Sequence, residues 1–264
     1  MLLYTLELRY NVFLQRFSKG FPVNEDHTYQ GTENLEVMEK AVRYNAFLTR
    51  LINRHAPKQG TIIDFGAGVG TFSRLIHNPE RSVVCIEPDH SQAARLSEVG
   101  FETHHNCSEI PDHHCDFIYS LNVVEHIEDD NAAIQDMFRV LKPGGHALIY
   151  VPAMQILYSA LDKKVGHFRR YNIEQISMLL DQNGFVIKEA KYADSLGFFA
   201  TLAYKLVGNK TGDLDLKTLI LYDQLIFPFS RILDRITHQF FGKNVFIFAV
   251  KPEGTNRKAS PPRT

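Results

Sequence analysis

The sequence predicts an α/β fold with a mostly parallel sheet and helices on both of its faces. Short apolar runs that end in turns recur along the chain, and each is followed by a segment with helical periodicity. In the clearest example, residues 61–72, Ile62 and Ile63 lead to Asp64 and then to a glycine-rich turn. This stretch predicts a buried parallel strand, a tight turn and the start of a helix. Its glycines follow a G-x-G-x-G spacing at Gly66, Gly68 and Gly70.

The elements before and after this stretch continue the alternation. Helical patterns occupy Tyr4 to Phe17 and the residues from Leu35 to the break at Pro57. Further strands are predicted at 83–86, 101–105, 115–121 and 146–151, with helices at 91–99 and 131–141. The turn from Lys142 to Gly145 should end a helix and start a strand.

The last third of the chain is predicted to be richer in helix. A helix should follow Ile173, and a strand is predicted at 184–190. Helices are predicted at 196–207 and at 214–241, the second kinked at Pro228. Residues 244–250 should form the last strand, and the tail 254–264 should be disordered.

Composition excludes several function classes. The 264 residues are 44% hydrophobic and 22% charged, which is ordinary for a globular protein, and a net charge of −1 gives no reason to expect nucleic acid as a partner. Three cysteines in no disulfide spacing favour a reducing compartment. Glu7 and Arg9 interrupt the apolar start, and no run reaches the roughly 18 apolar residues of a membrane span. We therefore expect a cytoplasmic protein without a transmembrane segment.

The glycine turn favours a particular ligand chemistry. Thr71 stands where a dinucleotide-binding turn needs its third glycine, and Asp64 would repel a phosphate. A carboxylate beside free backbone N–H groups suits a ligand with an ammonium group, such as S-adenosylmethionine (SAM). Glu87 ends the second strand 23 residues after Asp64, near the expected spacing for an acid that binds ribose hydroxyls.

These motifs resemble those of class I SAM-dependent methyltransferases, from about Leu35 to Lys251. The resemblance implies a Rossmann-like, seven-stranded, mostly parallel sheet with an antiparallel last strand and a helical insertion before that strand. It divides the chain into an N-terminal helical cap (1–56), a SAM-binding core (57–153) and a region in the same domain with the substrate site, the insertion and the closing strand (154–253).

The resemblance also implies which residues bind SAM. They belong to the glycine turn, the end of the second strand, the adenine region and the end of the fourth strand: Asp64, Gly66, Ala67, Gly68, Gly70, Glu87, Pro88, Asn106, Cys107 and Asn122. The family usually offers an acid to the adenine, where this chain has Asn106 and Ser108. Tyr44 and Asn45 lie on a helix that packs beside the cofactor in the family, but a tyrosine in the core and a solvated amide explain them as well.

The segment from Gly166 to Tyr171, Gly-His-x-Arg-Arg-Tyr, resembles a methyltransferase subgroup associated with glycan and cell-surface assembly. It implies that an oxygen acceptor loses its proton to His167, or secondarily to His126. The predicted substrate-binding residues are Tyr158, Asp162, Arg169, Arg170 and Tyr171. In the alternative interpretation, the two arginines pair with surface acids and Tyr171 is part of the core.

The acceptor is expected to be a small molecule, a glycan or a lipid-linked compound. The apolar 214–241 stretch could cover it, touch a membrane surface, form a dimer face or be buried as a helix pair. The oligomeric state is not predicted. We expect no metal site, because the conspicuous histidines and cysteines fit no zinc spacing; they are His104, His105, Cys107, His113, His114 and Cys115. Two other classes stay open: a non-catalytic SAM-binding module that acts through a protein partner, and an NAD-dependent oxidoreductase, which Asp64 and Thr71 disfavour.

Overall fold

The structure is a computed structural model, and it describes residues 40–207 and 216–254. In the first half, helices and strands alternate. They are α1 (Val42–His55), β1 (Gly60–Phe65), α2 (Thr71–Ile76), β2 (Arg81–Ile86), α3 (His90–Glu98), β3 (Glu102–His104), β4 (Cys115–Leu121), α4 (Asp130–Val140) and β5 (Leu141–Pro152). The predicted helix at 4–17, the start of the helix predicted from Leu35 and the tail beyond Gly254 lie outside the described residues.

The second half contains more helix. It consists of α5 (Ala160–Val165), α6 (Ile173–Gln182), β6 (Val186–Ala193), α7 (Ser195–Val207), α8 (Leu216–Leu221), a π-helical turn (Tyr222–Ile226), α9 (Phe227–Thr237) and β7 (Asn244–Val250). Short 3₁₀ turns follow β3, β4 and β5, at Cys107–Glu109, Val124–His126 and Gln155–Leu157.

The seven strands form one sheet in the order β3-β2-β1-β4-β5-β7-β6. All pairings from β3 to β5 are parallel, and β7 runs antiparallel to both β5 and β6. This confirms the predicted mostly parallel sheet with an antiparallel last strand. Because β1 lies between β2 and β4, the carboxyl ends of these three strands meet at one edge of the sheet, the usual place for a ligand in this kind of fold.

Both faces of the sheet are covered by helices, as predicted. Alternate side chains of each strand point to opposite faces, so Ile62 and Ile63 of β1 belong to two different core layers. One layer packs against Met137 of α4 and Leu180 of α6. The other packs against α1, chiefly through Ile52.

Two predicted elements differ from the structure. The stretch 214–241 was expected to be one helix kinked at Pro228; its described part is helical from Leu216 to Thr237, but it contains an unpredicted π-helical turn between α8 and α9. The backbone stays helical from Leu216 to Thr237, so Pro228 lies inside a continuous helix, directly after the wider π-helical turn. The strand expected at 146–151 instead begins at Leu141, which pairs with Cys115 before a register shift to Phe117 and His146.

Candidate active site

The glycine turn after β1 is packed tightly against its neighbours. The backbone N–H groups of Gly66 and Ala67 both donate to the Ile86 carbonyl at the end of β2, at 2.9 and 3.0 Å. Gly66 has φ +85°, and a Cβ on it would lie 2.5 Å from Cγ2 of Val123, in the segment after β4. Only glycine fits this position, which joins the turn to the residues that follow β4.

Asp64 lies beneath this turn and is almost completely buried. Its carboxylate accepts a hydrogen bond of 2.5 Å from the Ser73 hydroxyl in α2. Burial raises the pKa of Asp64 to about 6, because an ionised carboxylate is less stable away from water. Asp64 therefore joins β1 to α2 below the turn.

Glu87, at the tip of β2, is fully buried. Its two carboxylate oxygens accept hydrogen bonds from the backbone N–H groups of Gly68 (2.7 Å) and Asp89 (2.9 Å). Burial raises the pKa of Glu87 to about 8. Each carboxylate oxygen has a second lone pair. Glu87 can therefore hold the glycine turn against β2 and still accept a hydrogen bond from a bound ligand.

The other residues predicted to bind SAM lie around the same edge. Pro88 is half-buried beside Glu87, whereas Cys107 is part of the core. The exposed Asn106 side chain bonds within its own turn, accepting from the Ser108 N–H at 3.0 Å and donating to Glu109 at 2.9 Å. These contacts give Asn106 a local role as a turn residue.

Asn122 follows β4 directly with the unusual φ of +53°, a backbone strain that is common at functional sites. Its backbone N–H donates to the Tyr150 carbonyl at 2.7 Å, and its side-chain oxygen accepts from Asn244 at 3.3 Å. Tyr44 of α1 interacts with the Asn122 side chain, and its ring packs edge-on against Tyr150. Asn45 is buried. These contacts place the start of α1 beside the end of β4.

The 3₁₀ turn after β4 carries two buried ionisable side chains, Glu125 and His126. Glu125 is fully buried, and neither of its carboxylate oxygens has a hydrogen-bond partner in the described structure. Nε2 of His126 lies 4.0 Å from Oε1 of Glu125. Burial raises the pKa of Glu125 and lowers the pKa of His126, so both groups favour their neutral forms.

His167, in the segment from Gly166 to Tyr171, approaches the same glutamate. Its Nε2 lies 3.8 Å from Oε1 of Glu125, and its ring centroid is 4.5 Å from that of His126. The backbone N–H of Phe168 donates to the Glu125 carbonyl at 2.9 Å, which fixes the two segments together. The two histidines predicted as candidate bases therefore meet around Glu125.

Asp162 holds the other side of the His167 ring, with its Oδ1 at 2.8 Å from Nδ1. The same carboxylate accepts two hydrogen bonds from Arg170, one from Nε at 2.7 Å and one from Nη2 at 3.1 Å. Burial acts to raise the pKa of Asp162, but the bonds from His167 and Arg170 outweigh it and lower the pKa to about 2. Tyr158 donates its hydroxyl to the His167 carbonyl at 2.6 Å. Three predicted substrate residues thus surround and orient His167.

Arg169 and Tyr171 both contact Asp130, at the start of α4. Nη1 of Arg169 lies 2.6 Å from Oδ2 of Asp130, and the Tyr171 hydroxyl donates to the same oxygen at 2.8 Å. Tyr171 is buried. In this structure the two side chains make the contacts of the alternative interpretation, an arginine paired with an acid and a tyrosine in the core.

Comparisons with known proteins agree with this geometry. Residues 38–190, more than half of the chain, match the family described as Methyltransferase domain. The chain belongs to this methyltransferase domain family. It is 28% identical over 165 residues to a probable SAM-dependent methyltransferase of Mycolicibacterium smegmatis, in a match that covers 60% of this chain. That match spans only 61% of the length of the curated relative.

Solved structures of methyltransferases share the fold. The Haloferax volcanii methyltransferase in complex with the activator Trm112 has a TM-score of 0.61 at 13% identity, over 86% of this chain and 96% of that one. A SAM-dependent methyltransferase of Thermotoga maritima has a TM-score of 0.58 at 17% identity, over 83% of this chain and 94% of that one. Haemonchus contortus phosphoethanolamine N-methyltransferase 2, in complex with SAM, has a TM-score of 0.58 at 19% identity, over 88% of this chain and 62% of that one. The predicted class I methyltransferase domain and its cofactor are thereby confirmed at the level of the family.

Sequence reasoning assigned no role in this methyltransferase to Glu125 or Asp130. The sequence signal for Glu125 was its position between an apolar strand end and His126. A carboxylate buried at such a position needs a polar partner from another segment. The histidine-rich region from His104 to Cys115 was more conspicuous in the sequence than Glu125, but its side chains do not form one cluster in the part of the chain that the structure describes. In the structure, His104 pairs with Glu102 at 3.0 Å, His105 packs against His90, and Cys115 is buried in the core.

Proposed function

We propose that this methyltransferase transfers the methyl group of SAM to an oxygen atom of a small-molecule, glycan or lipid-linked acceptor. One observation carries the proposal: the segment after β4 connects the two halves of the site. Val123 fills the space beside Gly66, and two residues later Glu125 meets His126 and His167. A cofactor on the glycine turn would therefore lie close to the histidine cluster.

The residues around the turn suit SAM. Asp64 and the half-exposed backbone from Gly66 to Gly68 would bind its methionine part, and Glu87 the ribose hydroxyls. SAM supplies a methyl group that is already activated by the positive sulfur. As the acceptor oxygen binds this methyl carbon, the carbon–sulfur bond breaks and the sulfur keeps the electron pair. The protein must align the two reactants and exclude water.

His167 is the proposed base for the acceptor proton. Asp162 holds its Nδ1, which leaves Nε2 to take the proton, as in other pairs of an acid and a histidine. Burial lowers the pKa of His167, so its ring is neutral at physiological pH, the form that a base requires. His126, almost fully buried beside it, is the second candidate. Asp162, Arg170 and Tyr158 then act as positioning residues for His167.

The helical insertion before β7 favours a lipid-linked acceptor over a glycan or another small molecule. Large apolar side chains recur at helical spacing and are exposed on the π-helical turn and α9: Leu225, Phe229, Ile232 and Ile236. A face of this kind suits the surface of a membrane, where such an acceptor would be found. No helix in the described ranges 40–207 and 216–254 has the length and hydropathy to span a membrane. A cytoplasmic location remains a prediction, supported by three cysteines that are all free and buried.

The proposal is tested by methyl transfer from labelled SAM into a fractionated extract of the source cells. Label in the organic phase identifies a lipid or lipid-linked acceptor, and label in the water-soluble fraction a glycan or small molecule. No labelled product despite SAM binding would support the alternative, a non-catalytic module that acts through a protein partner. His167→Ala should abolish transfer, and normal turnover in this variant would show that His167 is not the base. His104→Ala, which removes a histidine outside the site, serves as the control.

A further inference from the structure

We propose that Glu125, His126 and His167 bind one divalent transition metal ion of the Zn²⁺ type. These residues each offer one ligand atom, and the three atoms all lie within 4.8 Å of one another. They come from two segments that the backbone bond from Phe168 to Glu125 holds together. The expectation of no metal site was drawn from the histidines near His104 and did not consider this group.

The strongest observation is the state of Glu125. A fully buried carboxylate without a hydrogen-bond partner is costly, and native structures rarely contain one. Two ring nitrogens face its Oε1: Nε2 of His167 at 3.8 Å and Nε2 of His126 at 4.0 Å. These distances are too long for hydrogen bonds, but they leave room for an ion between the three groups. A cation would compensate the buried charge.

The surroundings of His167 match those of a metal ligand. A histidine that binds a metal usually donates its other ring N–H to a carboxylate or a backbone carbonyl, which orients the ring. Asp162 does this for His167, and Arg170 in turn fixes Asp162. The ring of His126 contacts the backbone at Val165 and Gly166. The ring of His167 is therefore oriented by a carboxylate behind it, whereas that of His126 is positioned by backbone contacts.

The ligand set and the spacing favour a transition metal. Two histidines and one glutamate form a set that binds catalytic zinc, with the fourth position open to water or substrate. Metal–ligand bonds of about 2.0–2.1 Å in a tetrahedral site put the ligand atoms ~3.3 Å apart. The observed 3.8 and 4.0 Å would have to shorten by roughly half an ångström, a small adjustment for side chains. Mg²⁺ and Ca²⁺ prefer oxygen ligands and should bind more weakly.

Such an ion would deepen the proposed function, on which this consequence rests. An acceptor hydroxyl at the open position would lose its proton more easily, because a bound cation lowers the pKa of an oxygen ligand. The proton would pass to a water molecule as the acceptor binds, before the site excludes water, and the oxygen would then accept the methyl group as above. Nε2 of His167 would then bind the ion and could not also take the proton, so the ion would replace His167 as the group that promotes deprotonation. Replacing His167 would abolish metal binding together with transfer.

The test uses the full chain, stripped with EDTA, loaded with Zn²⁺ and desalted before its metal content is measured. We expect one Zn²⁺ per chain and a higher melting temperature than in the stripped protein. Glu125→Gln and His167→Gln should both lose the bound ion and the rise in melting temperature. His104→Ala is the matched control, because it removes a half-buried histidine that Glu102 and Glu109 flank outside the proposed site, and it should bind Zn²⁺ normally.

Loading with Co²⁺ adds a readout that does not depend on the variants folding. We expect the intense visible absorption of a four-coordinate ion in the wild-type chain, and the weak spectrum of hydrated Co²⁺ would overturn the proposal. It would also be overturned if Zn²⁺ binding were absent, were no tighter than Mg²⁺ binding, or were lost in His104→Ala. Calorimetry with S-adenosylhomocysteine (SAH) separates the two proposals: SAH binding without Zn²⁺ binding contradicts only the metal site, and Zn²⁺ binding without methyl transfer contradicts only the proposed reaction.

Discussion

Asp162→Asn is the most informative single change, because Asp162 supports the whole histidine cluster. The side chain of Asp162 is fully buried, and that of Arg170 is only 5% exposed. The carboxylate accepts two bonds from Arg170, one from His167 and one from the backbone of Ser159. Asparagine keeps the size of the side chain but removes its charge, and it turns one of the acceptor atoms into a donor.

The expected loss of stability follows from the buried charge that remains. Removing one partner of a buried ion pair costs about 3–5 kcal/mol, because the other charge is left uncompensated. A domain of ordinary stability has about 5–15 kcal/mol in total, so Asp162→Asn should remove a large fraction of it. Urea unfolding at pH 7, followed by circular dichroism, measures the difference. The midpoint should fall while the denaturant slope stays unchanged.

Two further variants decide whether this reasoning is correct. Arg170→Met added to Asp162→Asn should recover part of the lost stability, because the double variant no longer buries an unpaired guanidinium. Asp112→Asn is the matched control, since Asp112 bonds to Arg139 at 2.8 Å with its side chain 65% exposed, and it should change the midpoint far less. If Asp162→Asn were no more damaging than Asp112→Asn, the buried pair would not hold the cluster.

Three other predictions concern the cofactor side and the insertion. Gly66→Ala should prevent SAH binding in calorimetry, because its Cβ would meet Val123, whereas Gly100→Ala, at φ +94° with nothing within 4 Å, should keep it. Glu87 has a pKa raised to about 8 in the folded chain, so its burial should cost stability progressively as pH rises from about 4.5 to 8. Melting temperatures should show this fall, and Glu87→Gln should flatten it. Asp223 accepts bonds of 3.0 and 2.8 Å from the first turn of α1, so Asp223→Ala should cost about 1–2 kcal/mol in urea unfolding, and an unchanged midpoint would contradict this capping role.

The parts of the fold that repeat along the chain could be predicted from the sequence. Strands β4 and β7 have the predicted bounds, because buried strands in this fold are short apolar runs with clear turn signals at their ends. The spacing of Gly66, Gly68 and Gly70 identified the turn after β1, since close packing at Gly66 leaves no room for a Cβ.

Contacts between distant segments could not be predicted. Asp223 caps α1 across 179 residues, and no local pattern indicates such a bond. Asp162 and Arg170 were predicted as substrate-binding residues, but no local pattern indicated that they would be buried together as partners of His167. Pro228 indicated a disturbed helix because proline disrupts helix interiors, but no local pattern indicated that the disturbance would be a π-helical turn just before it.

The central claim is that the turn between β1 and α2 binds SAM, and calorimetry with SAH tests it most directly. The purified full chain should bind one SAH, should not bind NADH, and should lose SAH binding in Gly66→Ala but not in Gly100→Ala. A chain that binds NADH and not SAH, or a Gly66→Ala variant that binds SAH as well as the wild type, would contradict the account.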